Sequence, residues 1–532
     1  MRSALSGMVA AAALALVFGG TSRTDVRAQS ASNANSDLRT ISSTGTIDRR
    51  NAFFRPLGKQ YATTCEHCHF ASDGWGVSAE HIRQLFNTTQ GKHPIFTPPS
   101  ANDFHAAVAL NSDTNADRQS AYSLLLDKGD ALVRRNFDQN AADFTIVAVV
   151  DPSLPAGMHS IAIHDDGRIV RAGTVASMRA IPGAAYLQYT AEDNGGTPQI
   201  WIHRRPLPTT NFRFLTTVAW DGQDTRQGPN PASRSVRDGV FDVAKATIRG
   251  RETSGSLVAA DGHKYTDPEL TTLSNQITDF MFSLVTAYDS LPGGIGLGVK
   301  GGNGGAMTLS RQPFYFGIND TLQGDLAVSD SGEVKLKNAP FNPIAFTLYD
   351  AWHDDRDETH ASIERGQALF NAQRLTIDKV GGLNGATITL PDGSSTTGPA
   401  GAFRGSCSTC HNAPNVGDHS TRLPINIGVS EKAPVRFGRA RVADLPLFVL
   451  RRKTDGAIVQ TTDPGRAVIS GRFAHIGQFK GPILRAVASH PPFFHNGMAA
   501  TLEDVVDFYG IRFKGDFTAR ERQDLVTFLK AL

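Results

Sequence analysis

Cysteine is rare in this chain: four occur among 532 residues. That density excludes a scaffold stapled by many disulfides, in which cysteine exceeds about 8% of a short chain. Charge of one sign is not in excess either. Lys and Arg number 53 against 51 Asp and Glu, a formal net charge of +2, and no long basic run occurs. A dedicated nucleic-acid binder is therefore excluded. Long apolar runs are missing as well. Apart from one stretch near the N-terminus, no segment approaches the roughly 20 residues of a membrane-spanning helix. With 40% hydrophobic and 20% charged residues, the composition is that of a soluble globular chain. Its length is ample for two or three cored domains.

All four cysteines fall into two copies of one pattern, Cys65-Glu66-His67-Cys68-His69 and Cys407-Ser408-Thr409-Cys410-His411. C-x-x-C-H is the covalent attachment site of c-type haem. The two thiols add across the porphyrin vinyl groups, and the adjacent histidine supplies the proximal ligand to iron. A redox dithiol or a zinc cage also uses C-x-x-C, but two complete copies with no spare thiol favour haem. The chain is thus expected to carry two covalently bound c-type haems. Cys65, Cys68, Cys407 and Cys410 would anchor them, and His69 and His411 would ligate the irons.

The N-terminal apolar stretch follows Arg2 and runs from Ala4 to Gly20, rich in Ala and Gly. Val26-Arg27-Ala28 then places small residues at positions −3 and −1 of a cleavage site. Residues 1–28 read as a secretory signal, too short for a convincing span. The mature protein is expected to be periplasmic or secreted, without a membrane span. This agrees with the haem motifs, because c-type haem is loaded outside the cytoplasm. Residues 29–48, rich in Ser, Asn and Thr, read as disordered.

A first haem domain is expected over 49–290. Helices are predicted at Ser78 to Phe86, Ala116 to Val133 and Leu273 to Tyr288. Thr145 to Val150, Ser160 to Ile163 and Ala185 to Tyr189 are short β-like runs bounded by Gly, Pro and Asp, and suggest a β-rich insertion near 144–206. Residues 291–355 look irregular, with a glycine-dense loop to Gly305. A second haem domain is expected over 356–532. It opens on a helix from Ala361 to Phe370 in which Gly366 would allow close helix approach. It closes on two helices, one started by Thr501 and the other by a Thr518/Glu521 capping box. Leu525, Phe528, Leu529 and Leu532 follow the spacing of a buried helix face. The fold class expected is mainly α, with two cytochrome c-like haem domains and a β-rich insertion in the first.

Several segments resemble the bacterial dihaem cytochrome c peroxidase and MauG superfamily. Gly481-Pro482-Ile483-Leu484-Arg485-Ala486-Val487 is followed by Pro492-Phe493-Phe494-His495-Asn496-Gly497 and by Thr501-Leu502-Glu503-Asp504-Val505-Val506-Asp507-Phe508-Tyr509. That superfamily has a similar "P-x-L-R-x-V … PYFHDG … TLEEVVxFY" tail. Arg204-Arg205-Pro206-Leu207-Pro208 and Ala219-Trp220-Asp221-Gly222 resemble its inter-haem region.

The resemblance implies different roles for the two haems. The one on His69 would be the site of peroxide or oxygen chemistry, and the one on His411 would be fully ligated and exchange electrons. Peroxidases of the superfamily use a Met as sixth ligand of the second haem, and MauG a Tyr. The matching position here is Tyr509, with Met498 as a rival. A soft thioether favours Fe(II), a hard phenolate oxygen Fe(III). Trp220 resembles the inter-haem Trp that relays electrons, although a core Trp would also fit. The pocket of the first haem departs from the pattern. Where relatives place a Gln and a Glu, the alignment gives Val243 and Thr253, with Glu252 one position away. Glu252 could move a proton between peroxide oxygens, or belong to a solvated cluster with Arg249 and Arg251. His81 could close the first iron's sixth position. Calcium is common in the relatives, but its ligands do not map onto this sequence.

The leading expectation is a periplasmic dihaem oxidoreductase acting on hydrogen peroxide or oxygen, with a redox protein or a protein side chain as electron donor. A pure electron-transfer cytochrome and a rubber-oxygenase-like dihaem dioxygenase are the alternatives.

Overall fold

The structure, a computed structural model, describes residues 28–33, 36–58, 63–97, 114–138, 140–150, 161–163, 169–171, 187–188, 199–223, 235–249, 257–259, 261–321, 327–328, 334–335, 341–389, 395–432, 434, 445 and 447–532. The signal segment, most of the β-rich insertion and Glu252 lie outside them. The elements that frame the haem motifs are, in chain order, strands β1 (Ala28–Asn33) and β2 (Ser36–Ser42), helix α1 (Ala79–Thr89), strands β3 (Ala131–Asn136), β4 (Phe144–Val150) and β5 (Gln199–Arg204), helices α2 (Val236–Arg249) and α3 (Asp267–Ser283), strand β6 (Leu284–Tyr288), helix α4 (Glu358–Asn371), strands β7 (Leu447–Arg452) and β8 (Ile458–Thr461), and helices α5 (Leu502–Arg512) and α6 (Ala519–Ala531).

The N-terminal segment expected to be disordered instead begins a sheet. β2 lies between β1 and β6, and both pairings are antiparallel, with Leu38 opposite Tyr288 and Ser42 opposite Leu284. Leu38, Thr40 and Ser42 alternate along the buried face. The hydroxyls that made this stretch look unstructured are satisfied inside: Thr40 bonds Thr286 at 2.9 Å and Ser42 bonds Ser283 at 3.0 Å. Buried polar side chains are tolerated when paired in this way.

Two expected helices are shorter than their sequence pattern. The one sought over Ala116 to Val133 ends at Lys128, where Gly129 adopts φ +65°, and β3 follows. The one sought over Leu273 to Tyr288 ends at Ser283, and all five residues of β6 are buried.

The fold is accordingly mixed rather than mainly α. β3 and β5 pair antiparallel, Ala131 opposite Arg204 and Asn136 opposite Gln199. β4 pairs with β7, which in turn pairs with β8. Phe137, Phe144, Ile146, Ile200 and Ile202 from the first half share one apolar core with Phe448 and Leu450 from the second. The β-rich stretch is therefore not confined to the first half of the chain, because its strand β4 finds its partner some 300 residues later.

In the second half, α4 packs against α6. Gly366 makes that crossing close: a Cβ there would lie 2.1 Å from the Asp524 carbonyl oxygen and 2.7 Å from Phe528 Cβ. Leu525, Phe528, Leu529 and Leu532 are all buried in the shared core. Thr501 and Thr518 cap α5 and α6, each within a capping box. Among the described residues, no helix is long and apolar enough to cross a membrane.

Candidate haem centres

The two C-x-x-C-H motifs fold into the same local structure. Each opens a single 3-10 turn, Cys65–His67 and Cys407–Thr409. In the first, Cys68 and His69 both donate their amides to the Cys65 carbonyl at 3.1 Å; in the second, Cys410 and His411 donate to the Cys407 carbonyl at 3.2 and 3.0 Å. The residue before each motif locks it: the Thr64 amide donates to His67 Nδ1 at 3.1 Å and the Ser406 amide to Thr409 Oγ1 at 2.9 Å.

Each candidate ligand is then held by a carbonyl six residues downstream. His69 Nδ1 lies 3.1 Å from the Trp75 oxygen, and His411 Nδ1 lies 2.6 Å from the Gly417 oxygen. A carbonyl can only accept, so Nδ1 carries the ring proton and Nε2 presents its lone pair. That is the tautomer and orientation a metal-ligating histidine requires. Burial brings both imidazoles down to about 4, against the pull of the carbonyl bonds, so both are neutral at pH 7. Burial also pushes the Cys407 and Cys410 thiols up to about 12. A redox-active dithiol shows the opposite shift.

The two orienting carbonyls were not foreseen in the sequence. Trp75 has φ +62° and is pinned by its indole, which donates to Thr40 Oγ1 at 2.8 Å. Phe53 and Phe280 flank it, each with ring centroids 5.8 Å away. Gly417 has φ +68°, and a Cβ there would meet Leu484 at 2.9 Å. Its identity as glycine was the available signal.

An apolar cavity with about 1660 Å³ of space between its atoms, open mouth included, lies against the second motif. Cys407, Cys410 and His411 form part of its wall; Phe370, Ile377, Leu423, Ile427, Phe479, Phe494 and Leu529 are among the apolar residues that complete it. A flat, mostly apolar macrocycle suits such a space. Among the buried polar groups on or beside it that have no hydrogen-bond partner in the protein, Ser406 Oγ and His495 Nε2 included, two bear on a cofactor. One is His419 Nε2 on the cavity wall; the other is the pair of terminal nitrogens of Arg485, whose Nε donates to the Asn415 carbonyl at 2.8 Å. A buried cation and a buried polar nitrogen without partners are costly, and a cofactor bearing carboxylates would relieve both. The residues at this motif fit a haem.

Tyr509 lines the same cavity, its ring centroid 6.5 Å from that of His411 with the planes at 80°. Burial pushes its phenol up beyond the ordinary range. Its rival Met498 is buried in the core at 3% exposure but does not line the cavity. Trp220 also lines it; the indole N–H donates to the Arg205 carbonyl at 2.8 Å and the ring lies 6.2 Å from that of His495. The Arg205 guanidinium donates to the carbonyls of Lys128, Val77 and His490, which ties the first motif's surroundings to the cavity wall. Beside it, Arg204 grips Asp463 with two bonds of 2.6 and 2.8 Å and also bonds Asp221, which Arg135 shares. Burial opposes the charge on Asp221, but Arg135 and Arg204 outweigh it and hold the carboxyl well below its usual range.

Around the first motif, Cys65 packs against the cluster containing Phe53, Trp75 and Phe280, and Cys68 against Val77, Ile82 and Phe86. His81 Nδ1 is engaged by Asp73, 3.2 Å from both carboxylate oxygens, and its ring lies 4.1 Å from that of Phe70. Val243 sits 43% exposed on α2. Glu252 and Thr253 lie outside the described residues.

No protein-family model matches the chain. Curated relatives do. The cytochrome-c peroxidase IdrP2 of Denitromonas iodatirespirans is 33% identical over 136 residues, 24% of this chain and 36% of that protein. The cytochrome c551 peroxidase of Nitrosomonas europaea is 32% identical over 132 residues, 24% of this chain and 31% of that protein. The cytochrome-c peroxidase IdrP1 of Pseudomonas sp. (strain SCT) is 25% identical over 226 residues, 38% of this chain and 45% of that protein. The chain thus spans about a third of the length of the first two relatives and under half of the third. A solved MauG-like protein associated with microbial copper homeostasis is 16% identical and covers 62% of this chain and 75% of its own, with a TM-score of 0.26. The curated relatives that match these parts of the chain carry the name cytochrome c peroxidase.

Proposed function

We propose that this chain is a dihaem c-type cytochrome of peroxidase or MauG-like activity, exported to the periplasm. It would use hydrogen peroxide or oxygen at the haem on His69 and pass electrons through the haem on His411. The observation that carries the reading is the duplicated ligand geometry: each C-x-x-C-H histidine directs Nδ1 to the carbonyl six residues on and leaves Nε2 free. The names of the sequence relatives support the same chemistry. When bound, the haems supply an iron that takes up the oxidant and a second iron that exchanges single electrons.

The chain's own residues divide the remaining work. His69 and His411 would hold the irons from one face. Tyr509, whose ring centroid lies 6.5 Å from that of His411, would take the sixth position of the second iron, and its phenol must lose a proton to do so. Trp220, anchored to the Arg205 carbonyl, would carry an electron between the two centres. Glu252 would move a proton from one peroxide oxygen to the other as the O–O bond breaks, the whole reduction consuming two electrons and two protons per peroxide. The donor would be a redox protein or an aromatic side chain of a protein substrate.

Absorption and EPR spectra of the ferric and ferrous protein, with and without peroxide, test the proposal. One high-spin or readily opened haem that responds to peroxide is expected. Two permanently six-coordinate haems, indifferent to peroxide, cyanide and carbon monoxide, would reject it. They would favour a pure electron carrier, a reading that gains from Val243 and Thr253 standing where relatives place a Gln and a Glu.

A further inference from the structure

We propose that His419 donates a hydrogen bond to a propionate carboxylate of the haem attached through Cys407 and Cys410, and thereby raises that haem's reduction potential. The inference rests on the haem reading above and assigns a role that reading does not need.

His419 is 5% exposed, and its ring lies on the wall of the cavity that Cys410 and His411 also line. Its Nδ1 is occupied: Asn412 Nδ2 approaches it at 2.8 Å. Asn412 is itself fully buried, and its orientation is set from both ends of the amide. Its oxygen accepts from the Ser420 amide at 2.7 Å, and its nitrogen also donates to Thr321 Oγ1 at 3.0 Å. The group facing His419 Nδ1 is therefore an N–H donor, which places the ring's own proton on Nε2. Burial keeps the imidazole neutral, although the nearby Cys410 carbonyl pulls the other way. Nε2–H has no hydrogen-bond partner in the protein.

An unanswered buried donor is unfavourable, because the loss of its hydration goes uncompensated. A neighbouring side chain does not answer it. The other charged groups near His411 are Lys480 and Asp418, and these pair with each other at 3.2 Å while Lys480 also donates to the Gly481 carbonyl. The one protein acceptor that acts on this imidazole is the Cys410 backbone carbonyl; it makes no hydrogen bond to Nε2, so a group filling the cavity can supply the acceptor. A porphyrin offers carboxylate oxygens only at its propionates, so the donor's position selects that edge of the ring. A neutral donor on a propionate disperses negative charge that would otherwise stabilise Fe(III), which is why the bond should raise the potential.

The test is made on the full-length holoprotein, first shown by pyridine haemochrome to hold both haems. Spectroelectrochemistry would compare wild type with His419→Phe and His419→Gln. The Phe variant should shift the reduction equilibrium of the second haem toward Fe(III) by about tenfold, or about 59 mV for one electron. The Gln variant, which keeps an N–H, should stay within about twofold, and the first haem's potential should not move. Resonance Raman of the wild type supplies a readout that needs no variant: the propionate bending band of the second haem should change between H2O and D2O. An unchanged potential in His419→Phe, or a deuterium-insensitive band, would overturn the assignment and indicate a buried water at Nε2. A wild-type protein with no haem at Cys407 and Cys410 would instead sink the underlying reading.

Discussion

Replacing Asp463 by Ala should unfold this protein more readily than replacing any surface carboxylate. Asp463 follows β8, and its two oxygens receive Nε and Nη2 of Arg204 at 2.6 and 2.8 Å. Both side chains are 1% exposed. Truncating the carboxylate leaves Arg204 with only Asp221, which Arg135 also uses, and removes the acceptor of the Gly465 amide at 2.7 Å. Breaking a buried ion pair from one side costs about 3–5 kcal/mol, because the remaining charge stays desolvated. Glu503→Ala is the control. Its partner Lys530 is 3.4 Å away and both side chains are well exposed, so the loss should be about 0–1 kcal/mol. Arg204 lies in the first half and Asp463 in the second, so the cost should appear in the contact between them. Urea titrations followed in parallel by Soret absorbance and tryptophan fluorescence would measure it. Asp463→Ala should move the midpoint far more than Glu503→Ala, and Asp463→Asn should fall between. If Asp463→Ala cost no more than the control, the network would be structurally idle and the reasoning wrong.

Three further outcomes are expected. Tyr509→Phe should change the ferric spectrum of the second haem and raise its potential, since a hard oxygen ligand is lost; an unchanged ferric spectrum would remove Tyr509 from the iron. Asp130 is a fully buried carboxyl whose oxygens have no hydrogen-bond partner, and burial raises it to about 7 from 3.8 despite Arg205 and Lys128. A raised acid holds its proton more tightly when folded, so stability should fall as pH climbs from about 4 to about 7, by up to roughly 4 kcal/mol. Asp130→Asn should abolish that slope and be the more stable protein at pH 8, as judged by urea midpoints across pH. Gly366→Ala should destabilise the α4–α6 crossing by about 1–3 kcal/mol or more, because the added carbon meets backbone at 2.1 Å; a neutral effect would mean that the helices shift apart freely.

The C-x-x-C-H motifs, the existence of α1, the capped starts of α5 and α6 and the small residue at the α4–α6 crossing were legible because each is a local signal. A hydroxyl ahead of a helix, or a glycine where backbones touch, carries its reason within a few residues. What was missed depends on distant partners. Leu284 to Tyr288 continues the apolar pattern of α3, and a fully buried strand cannot be told from helix by periodicity alone. β4 looked like a short isolated run and β7 was not read from the sequence, and their pairing brings together residues some 300 apart in sequence. The Ser- and Thr-rich residues before position 48 mimicked disorder because their hydroxyl partners, Ser283 and Thr286, lie far down the chain. Within the site, the carbonyl of Trp75 and the Nε2 of His419 could not be seen, since backbone groups and tautomers leave no mark on a sequence; for the Gly417 carbonyl the glycine itself was the only mark.

The most direct test is to count haem on the denatured chain. Pyridine haemochrome and intact mass should give two haems per polypeptide, both resisting acid–acetone extraction, falling to one in either Cys65→Ala/Cys68→Ala or Cys407→Ala/Cys410→Ala. A wild-type protein with no thioether-bound haem, or with a ratio other than two, would contradict the proposal at its root.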